Sequence, residues 1–91
     1  MPIERQVVLF SGRVQGVGFR QTTVELARPY PLGGTVRNRP DGQVELIVEG
    51  TPDNIDALLA MLRRRFHGYI TTEQKTVAPA CGLKPPVRVA W

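Results

Sequence analysis

The chain has 91 residues, with one cysteine, one histidine, and 12 basic against 8 acidic residues for a net charge of +4. That length suits one domain, a sheet packed on a single layer of helices, burying roughly 60–70% of its unfolded surface. One cysteine excludes an internal disulfide, one histidine among scattered carboxylates supplies no zinc cluster, calcium loop or magnesium pattern, and no run approaches the roughly 20 apolar residues of a membrane span.

Met1 to Arg5 carries two charges, and the apolar run Val7 to Phe10 is too short for a signal core, so no secretory leader is expected. Gln6 to Gly12 reads as a first strand, apolar enough on both faces to be central. Arg13 to Arg20 follows as a loop with two glycines. Phe19, Thr23, Leu26, Ala27 and Tyr30 then recur at helical spacing, and Pro29 and Pro31 end that helix. Gly33-Gly34 opens a second strand, Thr35 to Asn38. Arg39-Pro40-Asp41-Gly42 suits a type I turn, and Gln43 to Glu49 completes a hairpin with Val44, Leu46 and Val48 on one face.

The second helix has the clearest signals. Thr51 can cap it, Pro52 takes the first helical position, and Asp53 favours the positive end of the dipole. Ile55, Leu58, Leu59, Leu62 and Phe66 form its apolar stripe. Arg63 to Arg65 crowd the negative end as a solvated face, and Gly68 can terminate it. Tyr69 to Val77 reads as a fourth strand, Ala78 to Pro86 as a loop, and Val87, Val89 and Trp91 as a final alternating strand. Strand, helix, strand, strand, helix, strand is the order of the split βαβ, ferredoxin-like α+β fold: an antiparallel sheet with both helices on one face, here with an extra C-terminal strand. Many functions use that arrangement, so function must come from a site.

The segment Gly12 to Arg20, GRVQGVGFR, joins a strand to the head of a helix. Unpaired N–H groups point outward there and the dipole favours negative charge. Glycines let successive N–H groups converge as an anion nest, and Arg20 adds a planar fork that matches phosphate. The loop lacks the Gly-Lys-Ser/Thr ending of a Walker loop. Gln21 stands where a dinucleotide fingerprint needs its third glycine, and the aromatic strand of RNA-recognition domains is absent. Taken singly, Arg20 is a helix-start arginine, Asn38 a turn residue near Pro40, and Gly16 and Gly18 turn glycines; their joint pattern marks a site. Cys81 and His67 read as incidental, and Arg13 as loop support.

This loop resembles the acylphosphatase signature, Gly-Arg/Lys-Val-Gln-Gly-Val, a variable residue, then Phe-Arg, at every fixed place from Gly12 to Arg20. A second signature, glycine, a short strand reading Val-Arg/Lys-Asn and a turn ending in glycine, matches Gly34 to Asn38 and Asp41-Gly42. The likeness covers most of Gln6 to Leu62. Thr35 replaces a usual large aromatic, Pro29 to Leu32 is richer in proline, and the tail after Gly68 matches loosely.

The resemblance implies hydrolysis of the carboxyl–phosphate bond of small acyl phosphates such as acetyl or carbamoyl phosphate, without metal or cofactor. It implies that backbone N–H groups of Gln15, Gly16, Val17, Gly18, Phe19 and Arg20 hold the phosphate, that Arg20 stabilises the transition state, and that Asn38 orients the attacking water. Strand parity groups Asn38 with Val36 on the helix-covered face and turns Arg37 away. The expected protein is a cytoplasmic monomer acting on a small molecule, with neither membrane nor nucleic-acid partner. Its extent from Met1 to just past the last strand favours a free-standing chain. The alternatives are an anion- or nucleic-acid-binding module without turnover, and an accessory domain that handles carbamoyl phosphate.

Overall fold

A computed structural model describes residues 2–91. The elements follow as β1 (Glu4–Gly12), α1 (Phe19–Ala27), β2 (Gly33–Asn38), β3 (Val44–Gly50), α2 (Pro52–Arg65), β4 (Ile70–Pro79) and β5 (Val87–Val89). The strands form one sheet in the order β4-β1-β3-β2-β5. As its apolar run predicts, β1 is flanked on both sides.

Register decides which side chains the helices cover. Gln6, Val8 and Phe10 of β1 lie opposite Val48, Leu46 and Val44 of β3, which lie opposite Gly34, Val36 and Asn38 of β2. Directly opposed residues project to the same face. On this face Val8, Phe10, Val36, Val44, Leu46 and Val48 are fully buried, in one cluster with Phe19 and Ala27 of α1 and Ile55, Leu58, Leu59 and Leu62 of α2. Phe19 stacks between Phe10 and Phe66, with ring centroids 4.9 and 4.6 Å apart. α2 starts as its sequence predicts: Thr51 Oγ1 accepts the Asn54 N–H at 3.4 Å and Pro52 follows at the first helical position.

Three expectations are adjusted. β1 begins at Glu4 and β4 runs to Pro79 rather than Val77, because the two pair along their full length, Glu4 opposite Pro79. A proline is tolerated there because β4 is an edge strand. The sheet is mixed rather than wholly antiparallel: β5 pairs with β2 in parallel, Gly34 opposite Val87 and Val36 opposite Val89. β4 ends at the edge of the sheet where β1 and β2 begin, so the next strand must run in their direction. Finally, β5 stops at Val89, short of Trp91, with the Ala90 N–H donating to Val36 O at 2.9 Å.

The connection between β4 and β5 crosses the sheet on the face opposite the helices. Arg5, Glu49 and Gly33 form one row on that face. Glu49 is almost fully buried beneath the crossing. It accepts the backbone N–H groups of Cys81, Gly82 and Leu83 at 2.9–3.0 Å and the Arg5 Nε–H at 2.9 Å. The crossing also runs so close to β2 that a Cβ on Gly33 would stand 2.2 Å from Leu83 O.

Candidate active site

The loop between β1 and α1 lies at the end of the sheet away from the crossing. It curls through Gly16 at φ 76° and Gly18 at φ 81°, left-handed values that favour glycine at both places. Gly18 caps α1 without a side-chain acceptor, and the first turn holds no acidic residue. Backbone N–H groups from Gln15 to Arg20 have no acceptor among the described residues. The head of α1 thus presents uncompensated donors and an unopposed dipole. Phe19, 2% exposed, pins this end of the helix into the core, so the loop rests on packed structure.

Arg20 follows the buried Phe19 and is half-buried at the mouth of a pocket of about 180 Å³. Gly16, Gly18, Val14 and Gln21 supply part of its wall, Asn38 another part, and Val89 and Trp91 the remainder. Arg20 and Asn38, 18 positions apart in sequence, therefore face one cavity. Asn38 Oδ1 is buried and meets no hydrogen-bond donor, a state it shares with Gln6 Oε1. A buried carbonyl left unpaired costs about 1–3 kcal/mol.

The loop is tied to the strand that carries Asn38. Gln15 Nε2 donates to Arg39 O at 2.8 Å and to Gln43 O at 3.0 Å, both in the turn after β2. Gln43 Nε2 in turn donates to Ser11 Oγ at 2.7 Å, at the end of β1. The Gln15 side chain is thereby spent on holding the loop to the turn after β2. Arg37 points away, as parity predicts, and pairs with Glu45 at 2.7 Å. Arg13 lies 5.2 Å from the Tyr69 ring centroid, and its N–H donates to Tyr69 O at 2.8 Å, supporting the loop's start. Arg63 pairs with Glu73 of β4 and, like Arg64 and Arg65, stays exposed, as expected of a solvated helix end.

Four lining residues, Val14, Gln21, Val89 and Trp91, are not among the expected site residues, while Gln15 and Val17, which are, do not line the pocket. The Arg20 guanidinium carbon lies 4.6 Å from the Trp91 ring centroid. The sequence carries only a faint sign of this, an alternating Val-x-Val-x-Trp tail whose far end no local pattern locates. Among the described residues no three His, Cys, Asp or Glu side chains come together as ligands for a metal ion. No helix is long and apolar enough to cross a membrane.

Comparison with known proteins places this geometry. Residues 6–79 match the family model described as acylphosphatase. The chain is 50% identical over 62 residues to the acylphosphatase of Methylococcus capsulatus, covering 68% of this chain and 67% of that one. It is 47% identical over 57 residues to that of Bordetella parapertussis, covering 63% and 61%. The matched stretches thus span about two thirds of these relatives at most. The crystal structure of an acylphosphatase from Bacillus subtilis superposes with a TM-score of 0.87 at 27% identity, over 97% of this chain and 99% of that one.

Proposed function

The chain belongs to the acylphosphatase family, hydrolases of the carboxyl–phosphate bond of acyl phosphates, and from that premise we propose that Arg20 and Asn38 carry the reaction in the pocket they share. The observation that bears most weight is that Arg20 and Asn38, far apart in sequence, line one cavity with Gly16 and Gly18 of the glycine loop.

In this reading the N–H groups from Gln15 to Arg20 hold the phosphate oxygens, and the Arg20 fork binds two of them at once. The Asn38 side-chain amide hydrogen-bonds the attacking water and so aims its lone pair at phosphorus, without taking its proton. The new O–P bond forms as the acyl O–P bond breaks, and the electron pair leaves with the carboxylate. A carboxylate departs unprotonated, so no general acid is needed, and the water's proton ends on the released phosphate. Positioning and charge stabilisation suffice for such a transfer.

The reading extends to one domain over residues 1–91, working as a cytoplasmic monomer on small acyl phosphates. The continuous core shared by both helices and the sheet supports the first of these. A lone cysteine is in keeping with a reducing compartment.

Hydrolysis of benzoyl phosphate, followed by absorbance beside a phosphate monoester, tests the proposal on the parent and on Arg20→Lys. The parent should cleave the first and spare the second. Lysine keeps the charge but loses the fork, so the variant should lose most activity and bind inorganic phosphate more weakly with its circular dichroism unchanged. Near-parent turnover by Arg20→Lys would remove Arg20 from the mechanism.

A further inference from the structure

Arg20, like Arg13 and Arg65, lies over an aromatic ring rather than in an ion pair. Arg5, Arg37, Arg39 and Arg63 each pair with a carboxylate. No carboxylate or hydrogen-bond acceptor among the described residues touches the Arg20 guanidinium, and its contact is with the face of the Trp91 ring, 4.6 Å from the centroid. The difference has a chemical consequence. A salt bridge would hold the side chain in place but neutralise its charge and occupy the N–H edge needed for phosphate. An aromatic face attracts the cation through its quadrupole and leaves its charge unneutralised.

Trp91 is aimed there by the strand before it. β5 is paired to β2 from Val87 to Val89, and the Ala90 N–H bonds to Val36 O, two residues before Asn38. One strand thus carries the proposed water-orienting residue and fixes the segment that bears the ring. Trp91 itself is 95% exposed, so it adds almost nothing to the core.

We propose that Trp91 is a positioning residue for the reaction: its ring holds the guanidinium of Arg20 with its charge unneutralised to receive the phosphate. The proposal rests on the reading of Arg20 given above.

Trp91 is the single tryptophan, so emission excited selectively at the indole, sparing Tyr30 and Tyr69, reports on this one ring. Titration with inorganic phosphate, against potassium chloride of equal ionic strength, should change that emission with a midpoint at the phosphate inhibition constant. Trp91→Ala and Trp91→Leu should raise that constant about two- to fivefold, the scale of an exposed cation–π contact. Their kcat/KM for benzoyl phosphate should fall at least as far, with melting temperature unchanged. Trp91→Phe, which keeps an aromatic face, should restore most of the loss. Inhibition constants at the parent value in the alanine and leucine variants, or rescue by leucine as complete as by phenylalanine, would overturn the role given to the ring. The two readings fail differently: parent-like turnover by Arg20→Lys removes Arg20 itself, whereas phosphate binding lost in Arg20→Lys but intact in Trp91→Ala removes only Trp91.

Discussion

Asn38 combines two properties that separate a working residue from a turn residue. Its backbone belongs to the β2–β3 ladder, opposite Val44, and its Oδ1 is buried with no donor. A residue kept to stabilise the turn would spend its side chain on the turn; here Gln15 and Asp41 do that, through Arg39 O and the Gln43 N–H. Asn38→Ala should therefore cut turnover by about 100-fold or more, the scale of one positioned transition-state group, while phosphate affinity barely changes. Its melting temperature should hold or rise, because an unsatisfied buried carbonyl is removed. Turnover, phosphate inhibition and thermal melting on one preparation check all three, and an early-melting variant with parent turnover would return Asn38 to the turn.

The element of greatest consequence beyond the loop is the short β5. It reaches the far edge of the sheet only because the preceding segment crosses under Arg5, Glu49 and Gly33. Gly33 lets that crossing lie against β2: a Cβ would meet Leu83 O at 2.2 Å and backbone carbons of Leu83 and Lys84 at 2.7 Å, and backbone cannot swing aside as a side chain can. Gly33→Ala should lower stability by about 1–3 kcal/mol, the usual penalty of overpacking, and lift β5 from β2. Since β5 carries Val89 and leads to Trp91, phosphate inhibition should weaken in the same variant. Chemical denaturation and inhibition measured together read both effects, and normal values for both would mean that the crossing can shift without disturbing the site.

For the molecule as a whole, Glu49 links folding to pH. Burial pushes its carboxyl upward, but hydrogen bonds from the Cys81 and Leu83 backbone and from Arg5 outweigh burial and hold it at about 2, below an ordinary value of 4.5. A depressed folded value means that this contribution to stability is complete above about pH 4.5 and drains away as pH falls toward 2. Denaturation midpoints should accordingly fall through that window. Glu49→Gln, which keeps one acceptor but loses the charge, should cost about 1–3 kcal/mol at neutral pH and flatten the decline between pH 4.5 and 2. A variant that retained the parent's acid profile would place the titration elsewhere.

How much of this was legible in the sequence follows from how local each cause is. The β1–α1 loop, both helices and the β2–β3 hairpin depend on neighbours in sequence: glycines at Gly16 and Gly18, Thr51 before Pro52, a turn at Pro40 to Gly42, and apolar residues at the period of each element. Parity along a single strand sufficed to set Asn38 on the helix face and Arg37 off it. Thr35, where an aromatic is usual, lies opposite Ile47 on the other face, so that departure falls away from the site. Three features needed the folded chain. β4 extends to Pro79 because β1 offers it a partner, the Glu49 carboxylate finds its donors 32 to 34 residues away, and β5 lies parallel to β2 because of where the crossing delivers it. Trp91 stands over Arg20 as the sum of those events. Periodicity and capping chemistry act within a turn or a strand, but pairing across 70 residues depends on which edges and buried polar groups the rest of the fold leaves open.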